Sequence, residues 1–368
     1  MVITAPWGER LGGAENMLWM FLKHVDRDRI ALFVVFLQPG PFEAEVAELG
    51  IPTAVVSTGR LRQVGKLAQA TWTLKRLLRE HQPDLLLNWS PKTQLYGSAA
   101  ALLAGRAGRV VWWQHGVSNG HWMDRLATML PTRAVGCSSH SAAQAQLAFR
   151  PRRRIFVVNP GIDPPERLTR SELEALRSSL GIPPTDTIVG TVGRLQPDRG
   201  QHRMLRVLAS LRMRGHHVHG LVVGGNAYNL SPAYENYLRR LVDELDLVGA
   251  VTFTGQVPDA GPYIQLMEVM VNASLGESFG IATLEGMALR VPVLAFNGTG
   301  PAEIIDSNES GLLVPPGNEP LLAEALIQLL TDADLRGRLA EGAMRRFYSR
   351  FTAQHMAEGC MSNLSGCI

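Results

Sequence analysis

The stretch VMVNASLGESFGIATLEGMAL (residues 269–289) joins a short apolar run, a polar loop with two glycines, and a second apolar run. The first run is typical of a buried strand, and the second has the spacing of a helix. Two glutamates, Glu277 and Glu285, bracket the turn between them. Carboxylates accept hydrogen bonds from polyol hydroxyls, and the amino end of a helix attracts phosphate. The stretch therefore predicts a strand-loop-helix unit that holds a polyol beside an anion.

The spacing of the two glutamates limits what they do together. On one continuous helix they would lie about 80° apart and about 12 Å apart along the axis. We therefore place Glu277 on a loop and Glu285 in the first turns of the following helix, where they hold different ends of one ligand. They do not form the acid and base pair of a glycosidase. The backbone N–H groups near Phe279, Gly280 and Ile281 would face the anion. The simpler alternative is two solvated acids at a helix start.

Composition indicates an ordinary globular protein. The chain has 368 residues, which suits two domains. A net charge of +3 gives no reason to expect nucleic acid as a partner. Three cysteines form neither a disulfide framework nor a metal motif, which favours a reducing cytoplasm. No apolar run approaches the ~18 residues that span a bilayer, so we expect a cytoplasmic protein, with peripheral contact at the inner membrane face left open.

Short apolar runs alternate with helical patterns along the whole chain. This alternation predicts an α/β protein with parallel sheets covered on both faces. Turn chemistry at residues 159–165 separates two such series, so we predict domains at residues 1–163 and 164–345, followed by residues 346–368. Each would be a Rossmann-like doubly wound domain, and ligands would bind in a cleft at the carboxyl ends of the strands. The expected strands are residues 34–37, 53–56, 85–87, 110–113, 134–137, 155–158, 188–192, 218–223, 251–254, 269–273, 293–296 and 312–314.

Two arginines follow one of these strands. Arg194 comes directly after Gly193 at the strand tip, and Arg199 precedes the next helix. Arginine makes planar, bidentate contacts to phosphate, so the pair could clamp a diphosphate. The alternative is two surface arginines on a polar turn.

Three further positions lie after strands of the first half. Gly12 and Gly13 precede a helix and would let the backbone approach a phosphate, although the turn lacks the Gly-x-Gly-x-x-Gly pattern of dinucleotide-binding proteins. His115 ends a strand and could hydrogen-bond a sugar hydroxyl, although a lone histidine is more often structural. Trp89 and His121 are weak candidates for acceptor contact, since aromatic residues under loops more often belong to the core.

Two charged clusters fall at the opposite ends of strands. Residues 26–28 (Asp-Arg-Asp) are interpreted as a solvated turn and not as a metal site. Residues 150–154 contain four arginines and could contact anionic lipid at ~1 kcal/mol per charge, but a solvated face is favoured.

Taken together, these motifs resemble those of the retaining glycosyltransferases of GT-B fold, in the group that includes sucrose synthase and bacterial mannosyl- and glucosyltransferases (glycosyltransferase family 4). The resemblance covers nearly the whole chain and is strongest in the carboxyl half. It rests on Gly12-Gly13-Ala14-Glu15, His115-Gly116, residues 159–163, 193–200 and 253–255, Glu277 through Glu285, Pro292-Val293, and residues 298–303 and 311–315.

The resemblance implies roles for these residues. Glu277 would contact the donor sugar and Glu285 the ribose of a nucleotide. Arg194 and Arg199 would bind the diphosphate, and His115 would lie near the primary hydroxyl of the sugar. Gly193, the Gly12-Gly13 loop and the amides of Phe279, Gly280 and Ile281 would assist, with Gly225, Gln256 and Val257 near the base. Residues 346–368 would supply a helix that packs on the first domain.

One departure concerns Arg199, where the family usually has lysine; the charge is kept, but a rigid fork replaces a flexible ammonium. Asn159-Pro160-Gly161 also stands where a shorter Asn-Gly pair is commoner.

The expected activity is transfer of a hexose-type sugar from a nucleoside diphosphate donor to a saccharide or lipid-linked acceptor. His115, Glu277, Arg194 and Arg199 would carry it, without a cofactor or metal ion. A sugar-nucleotide-binding scaffold without activity and an epimerase of the same fold remain alternatives. A pyridoxal phosphate phosphorylase is excluded because no lysine follows Thr169.

Overall fold

The computed structural model describes residues 1–10, 12–59, 63–117, 122–149, 153–226, 232–298 and 300–368. These residues form two compact units. The first unit is Met1–Gly161 together with Ala353–Ile368, and the second is Ile162–Thr352. The sequence predicted domain boundaries after residues 163 and 345. In the structure, the boundaries between the units follow Gly161 and Thr352.

A seven-stranded parallel sheet forms the centre of the first unit. Its strands are β1 (Val2–Ala5), β2 (Phe33–Phe36), β3 (Thr53–Val55), β4 (Leu86–Asn88), β5 (Val110–Gln114), β6 (Ala134–Cys137) and β7 (Ile155–Val157). They lie in the order β3-β2-β1-β4-β5-β6-β7. The direction of strand addition reverses at β1, where ligands bind in open α/β sheets.

Helices cover both faces of this sheet, because successive side chains of a buried strand point to opposite sides. The helices are α1 (Gly13–His24), α2 (Pro41–Glu48), α3 (Val64–His81), α4 (Pro91–Leu103), α5 (Trp122–Met129) and α6 (His140–Phe149). Ile3 and Trp113 pack in the core beneath α1 and α2. Val2 packs beneath α3 and α4, and Trp112 beneath α5 and α6.

The second unit repeats the architecture with six parallel strands. They are β8 (Thr187–Val192), β9 (Val218–Val223), β10 (Val251–Gly255), β11 (Val269–Asn272), β12 (Val293–Phe296) and β13 (Leu312–Val314), in the order β10-β9-β8-β11-β12-β13. The helices are α7 (Arg170–Ser179), α8 (Gln201–Met213), α9 (Pro232–Glu244), α10 (Gly261–Ile264), α11 (Ile281–Ala288), α12 (Pro301–Ile304), α13 (Glu319–Thr331) and α14 (Ala333–Arg350). The prediction of two Rossmann-like, doubly wound domains is confirmed.

A last helix, α15 (Ala353–Ser365), belongs to the first unit. Its buried residues Met356, Cys360 and Leu364 share one apolar core with Met17 and Phe21 of α1. No helix within the described residues combines the length and apolar character needed to cross a membrane.

Candidate functional site

Glycines join the carboxyl ends of three strands in the second unit. The amide of Gly193 donates to the carbonyl of Val223 (2.9 Å), and that of Gly224 donates to the carbonyl of Gly255 (3.1 Å). Gly224 has φ +121°, and a Cβ atom there would lie 2.3 Å from the Gly193 oxygen. A side chain cannot fit at that distance, so Gly224 allows the ends of β8 and β9 to approach each other.

The loop that follows β8 is fastened to the loop that follows β11. The carbonyl of Asp198 accepts hydrogen bonds from the Leu275 amide and the Ser274 hydroxyl, both at 2.9 Å. Gly200, with φ +76°, passes so close to Ala273 that a Cβ atom would lie 2.0 Å from its carbonyl oxygen. These contacts fix the backbone beside Arg199 relative to the segment that carries Glu277.

Arg199 and Glu277 form an ion pair. Each side chain is only 18% exposed. Burial alone would lower the pKa of Arg199, but the Glu277 carboxylate, which is also hydrogen-bonded to it, and Asp198 together raise that pKa above its ordinary value. The sequence predicted that both residues belong to one site, but it did not predict that they form an ion pair.

Arg194 lies close by in sequence but has a different environment. It is half-buried, and its carbonyl oxygen accepts a hydrogen bond from Gln201 Nε2 at 2.9 Å. Tyr234 in turn donates to Gln201 Oε1. Among the residues that the structure describes, the Arg194 guanidinium has no ion-pair partner. A half-buried cation without a counter-charge is suited to an anionic ligand.

The start of α11 is held against the loop at residue 300. Gly280 precedes the helix with φ +105°, and the Gly300 amide donates to the Glu277 carbonyl at 2.8 Å. A Cβ atom on Gly300 would lie 2.2 Å from Phe279 Cα. The Phe279 ring is buried and packs on Phe351 at 6.2 Å between centroids, so only its backbone is available for the predicted role.

Glu285 lies in the second turn of α11. Burial raises the pKa of Glu285 to about 7, and the nearby Asp259 carboxylate adds to the increase. A Cβ atom on Gly225 would lie 2.8 Å from the Gln256 amide, so Gly225 adjoins the segment that leads to Asp259. Val257 packs against the apolar core beneath α11. Gly225, Gln256 and Val257 thus belong to the region that leads to Asp259, whose charge acts on the half-buried Glu285.

In the first unit, His115 is enclosed by hydrogen bonds. Its Nε2 lies 3.0 Å from the carbonyl of Trp89, and its Nδ1 lies 3.1 Å from the Ser138 hydroxyl. A carbonyl only accepts, so Nε2 carries the proton and Nδ1 accepts from Ser138. The Ser138 oxygen accepts from the Trp113 indole at 3.1 Å. Burial lowers the pKa of His115 to about 4, against the opposing effect of the Trp89 carbonyl, so the ring is neutral.

Trp89 does not fit the prediction of acceptor contact. It is 1% exposed, its indole donates to the Ala14 carbonyl at 2.8 Å, and its ring stacks on Trp113 with centroids 5.1 Å apart. A ring buried in this way cannot stack on a sugar, and its role is in the core, which was the alternative weighed from the sequence. His121 lies outside the described residues.

Gly12 and Gly13 begin α1, with Gly12 as the residue that caps the helix. A Cβ atom on Gly12 would lie 2.7 Å from the Glu15 carboxylate, so an acidic group already lies at this helix start. Phosphate contact by this loop stays a prediction. In the described parts of the chain, no three His, Cys, Asp or Glu side chains converge as metal ligands.

Sequence reasoning missed Asp198, Ser274 and Asp259. Asp198 accepts through its carbonyl oxygen and also acts on Arg199 through its charge, and the Ser274 hydroxyl donates to that carbonyl. Both contacts depend on how two loops meet, which the residue types alone did not signal. Asp259 lies four residues past Gly255, at the carboxyl end of β10, and that position was the only signal available.

Two family models match the chain. The model "Glycosyl transferases group 1" matches residues 173–346, and "Glycosyltransferase Family 4" matches residues 11–166. A D-inositol 3-phosphate glycosyltransferase of Stackebrandtia nassauensis is 34% identical over 58% of this chain and 49% of the relative. The chain thus matches about half the length of that relative.

A more extensive match is the GDP-mannose-dependent alpha-(1-6)-phosphatidylinositol monomannoside mannosyltransferase of Mycobacterium tuberculosis. It is 31% identical over 71% of this chain and 70% of the relative. The crystal structure of Anabaena Alr3699/HepE in complex with UDP-glucose covers 99% of both chains with a TM-score of 0.85 and 23% identity. This likeness confirms the fold.

Proposed function

Since the chain belongs to the family 4 glycosyltransferases, we propose that it transfers a hexose-type sugar from a nucleoside diphosphate donor to a hydroxyl group of a saccharide or lipid-linked acceptor. We further propose that the anomeric configuration is retained and that no metal ion is required. The observation that carries this proposal is the half-buried Arg194, without an ion-pair partner in the described residues, near the paired Arg199 and Glu277.

The chemistry needs stabilisation of charge on the departing diphosphate. Two guanidinium groups, those of Arg194 and Arg199, would supply it, and charge of this kind acts most strongly where water is excluded. In this structure the Glu277 carboxylate pairs with the Arg199 guanidinium. A diphosphate would replace it there, and the released carboxylate could accept hydrogen bonds from the sugar hydroxyls.

Glu285 would hold the other end of the donor. Its ionised form accepts two hydrogen bonds from the ribose diol, and the raised pKa of this carboxyl makes that form dependent on pH near neutrality. His115 would present the surface of a ring that burial keeps neutral and that two hydrogen bonds hold in place. Because both nitrogens already have partners, it would contact the sugar by packing and not by the hydrogen bond expected from the sequence. The acceptor would attack from the face that the phosphate leaves, and the phosphate would take its proton.

The donor is proposed only as a class. One relative is named as GDP-mannose-dependent, and one structure of the same fold holds UDP-glucose. UDP-, GDP- and ADP-sugars are therefore the candidates.

The test measures release of nucleoside diphosphate and formation of glycoside from each donor, with and without EDTA. Transfer that survives EDTA and is lost in Arg194→Ala supports the proposal, and NMR of the product's anomeric proton tests retention. Donor binding without any turnover would instead favour the scaffold alternative.

A further inference from the structure

Four helices of the first unit form a single layer on one face of its sheet. Inward-facing residues of α3 and α4 pack on one part of the sheet, and those of α5 and α6 pack beside them. α3 contacts α4, α4 contacts α5, and α5 contacts α6. The outer face of this layer, called here the α3–α6 surface, is therefore continuous.

Large apolar side chains are concentrated on the α3–α6 surface. On α5, Trp122, Leu126 and Met129 are exposed, with Met129 67% and Trp122 55% accessible. Their spacing of four and three residues aligns them on one side of the helix. Leu102 on α4 and Trp72 on α3, which is 61% accessible, extend the exposed apolar area. Clustered exposed apolar residues of this kind mark an interaction site.

The same surface is strongly basic. The four helices contain six cationic residues and two acidic ones, Glu80 and Asp124, and so carry +4, whereas the whole chain carries +3. The cationic residues are Lys66, Lys75, Arg76, Arg79, Lys92 and Arg125. Lys92 is half-buried, with its Nζ 4.7 Å from the centre of the Trp7 ring, so the other five cations and the two acids leave +3 for the outer face.

A groove of about 510 Å³ on α3 gathers Trp72, Lys75, Arg76 and Arg79. Lys75 Nζ lies 3.7 Å from the centre of the Trp72 ring. In the described residues none of these three cations forms an ion pair, so they are available to phosphate groups.

Basic and apolar groups on one face complement one surface in particular. Tryptophan rings and the stems of lysine and arginine suit the boundary between headgroups and acyl chains, and clustered cations attract anionic headgroups. We propose that the α3–α6 surface docks this protein on an anionic phospholipid bilayer, with the α5 stripe inserted and the α3 cations against phosphate. The inference does not depend on the proposed function.

Vesicle flotation tests the charge component. Vesicles of phosphatidylcholine alone and of phosphatidylcholine with 30 mol% phosphatidylglycerol are compared at low and high salt. The wild-type protein should float with the anionic vesicles only, and less at high salt. Arg76→Glu combined with Arg79→Glu should lower partitioning at least about thirty-fold. The control, Arg338→Glu combined with Arg345→Glu, makes the same charge change on exposed residues of α14 and should stay within about two-fold of wild type.

A second pair of variants tests insertion. Trp122→Ser combined with Met129→Ser should reduce flotation about ten-fold or more, whereas Met213→Ser, at a residue 84% accessible on α8, should not. Circular dichroism melts confirm that each variant is folded. Wild-type protein that stays unbound to both vesicle types, that binds both equally, or that is matched by the α3 or α5 variants would overturn the proposal. The α3–α6 surface would then be assigned to a protein partner.

Discussion

Arg199 and Glu277 neutralise each other in a region where both side chains are largely shielded from water. Both are expected to contact the donor, one at the diphosphate and one at the sugar. The pair therefore keeps two ligand-binding groups in place at low cost, since a buried charge without a partner is unfavourable. Donor binding would exchange one ionic partner of Arg199 for another.

The first prediction concerns Glu277→Gln. Loss of the carboxylate frees Arg199, so affinity for the nucleoside diphosphate alone should be unchanged or higher, while sugar transfer should fall about a hundred-fold. Calorimetry with the diphosphate and initial rates with the sugar donor separate the two effects. Glu319→Gln, which breaks the surface pair with Arg206, is the control and should alter neither. A clear loss of diphosphate affinity in Glu277→Gln would contradict this exchange.

Arg194→Ala gives the second prediction. Removal of a charged donor to phosphate costs about 1.5–3 kcal/mol, so donor affinity should fall roughly ten- to a hundred-fold and turnover should fall with it. Arg240→Ala, at an exposed position on α9, is the matched control. Unchanged transfer by Arg194→Ala would remove this residue from the site.

The third prediction follows from Glu285. Folding raises the pKa of this carboxyl from its ordinary 4.5 to about 7. Between those values the folded chain holds a proton that the unfolded chain has lost, so stability falls as the pH rises from 4.5 to 7. Glu285→Gln removes this titration, and its free energy of unfolding should rise relative to wild type over that window, by at most about 3 kcal/mol.

Urea unfolding at several pH values measures this difference, which should level off above pH 7. The affinity of wild type for a nucleotide-sugar should weaken in parallel below pH 7, because the ribose would lose a carboxylate acceptor. A stability difference that is independent of pH would show that folding does not raise the pKa of Glu285.

The strands were predictable because each is a short apolar run, and glycine, proline or asparagine often follows it. The strands β2 to β13 lie within one or two residues of their expected positions. Helical patterns also predicted α1, after Gly13, and the helix that carries Glu285. Periodicity could not predict which group each side chain contacts. Nothing in the sequence indicated an ion-pair partner for Arg199. Its pairing with Glu277 depends on the contact between two loops that are about 80 residues apart along the chain.

Trp89 shows a second limit. A tryptophan at the end of a strand is compatible with sugar stacking or with the core, and only the tertiary contacts with Trp113 and Ala14 decide. The acidity of Glu285 is a similar case, since its pKa is raised first by burial and then by the charge of Asp259, a residue from a different strand end.

The fourth prediction concerns Gly224→Ala. The added Cβ atom would lie 2.3 Å from the Gly193 oxygen at a φ of +121°, so the ends of β8 and β9 must separate. We expect a loss of stability of more than about 2 kcal/mol together with weaker donor binding. Gly215→Ala is the control, since its φ is +84° and nothing lies within 4 Å of the new atom. It should cost only the strain of its backbone, about 1 kcal/mol. Equal effects in thermal melts would contradict the steric explanation.

The fifth prediction concerns Ser138→Ala. This change leaves His115 Nδ1 without a donor and the Trp113 indole without an acceptor, at a cost of about 1–3 kcal/mol for each unsatisfied buried group. The melting temperature should drop clearly, whereas Ser349→Ala, at an exposed hydroxyl, should leave it unchanged. A Ser138→Ala protein as stable as wild type would show that the network contributes little.

The path of the chain has a consequence for biosynthesis. The core of the first unit closes only when α15 packs on α1, and α15 is made after all of residues 162–352. The second unit is a continuous segment, and it is synthesised in full before α15. Until α15 is made, part of the apolar face of α1 stays uncovered, so the first unit is exposed to non-native contacts while the polypeptide is still being extended.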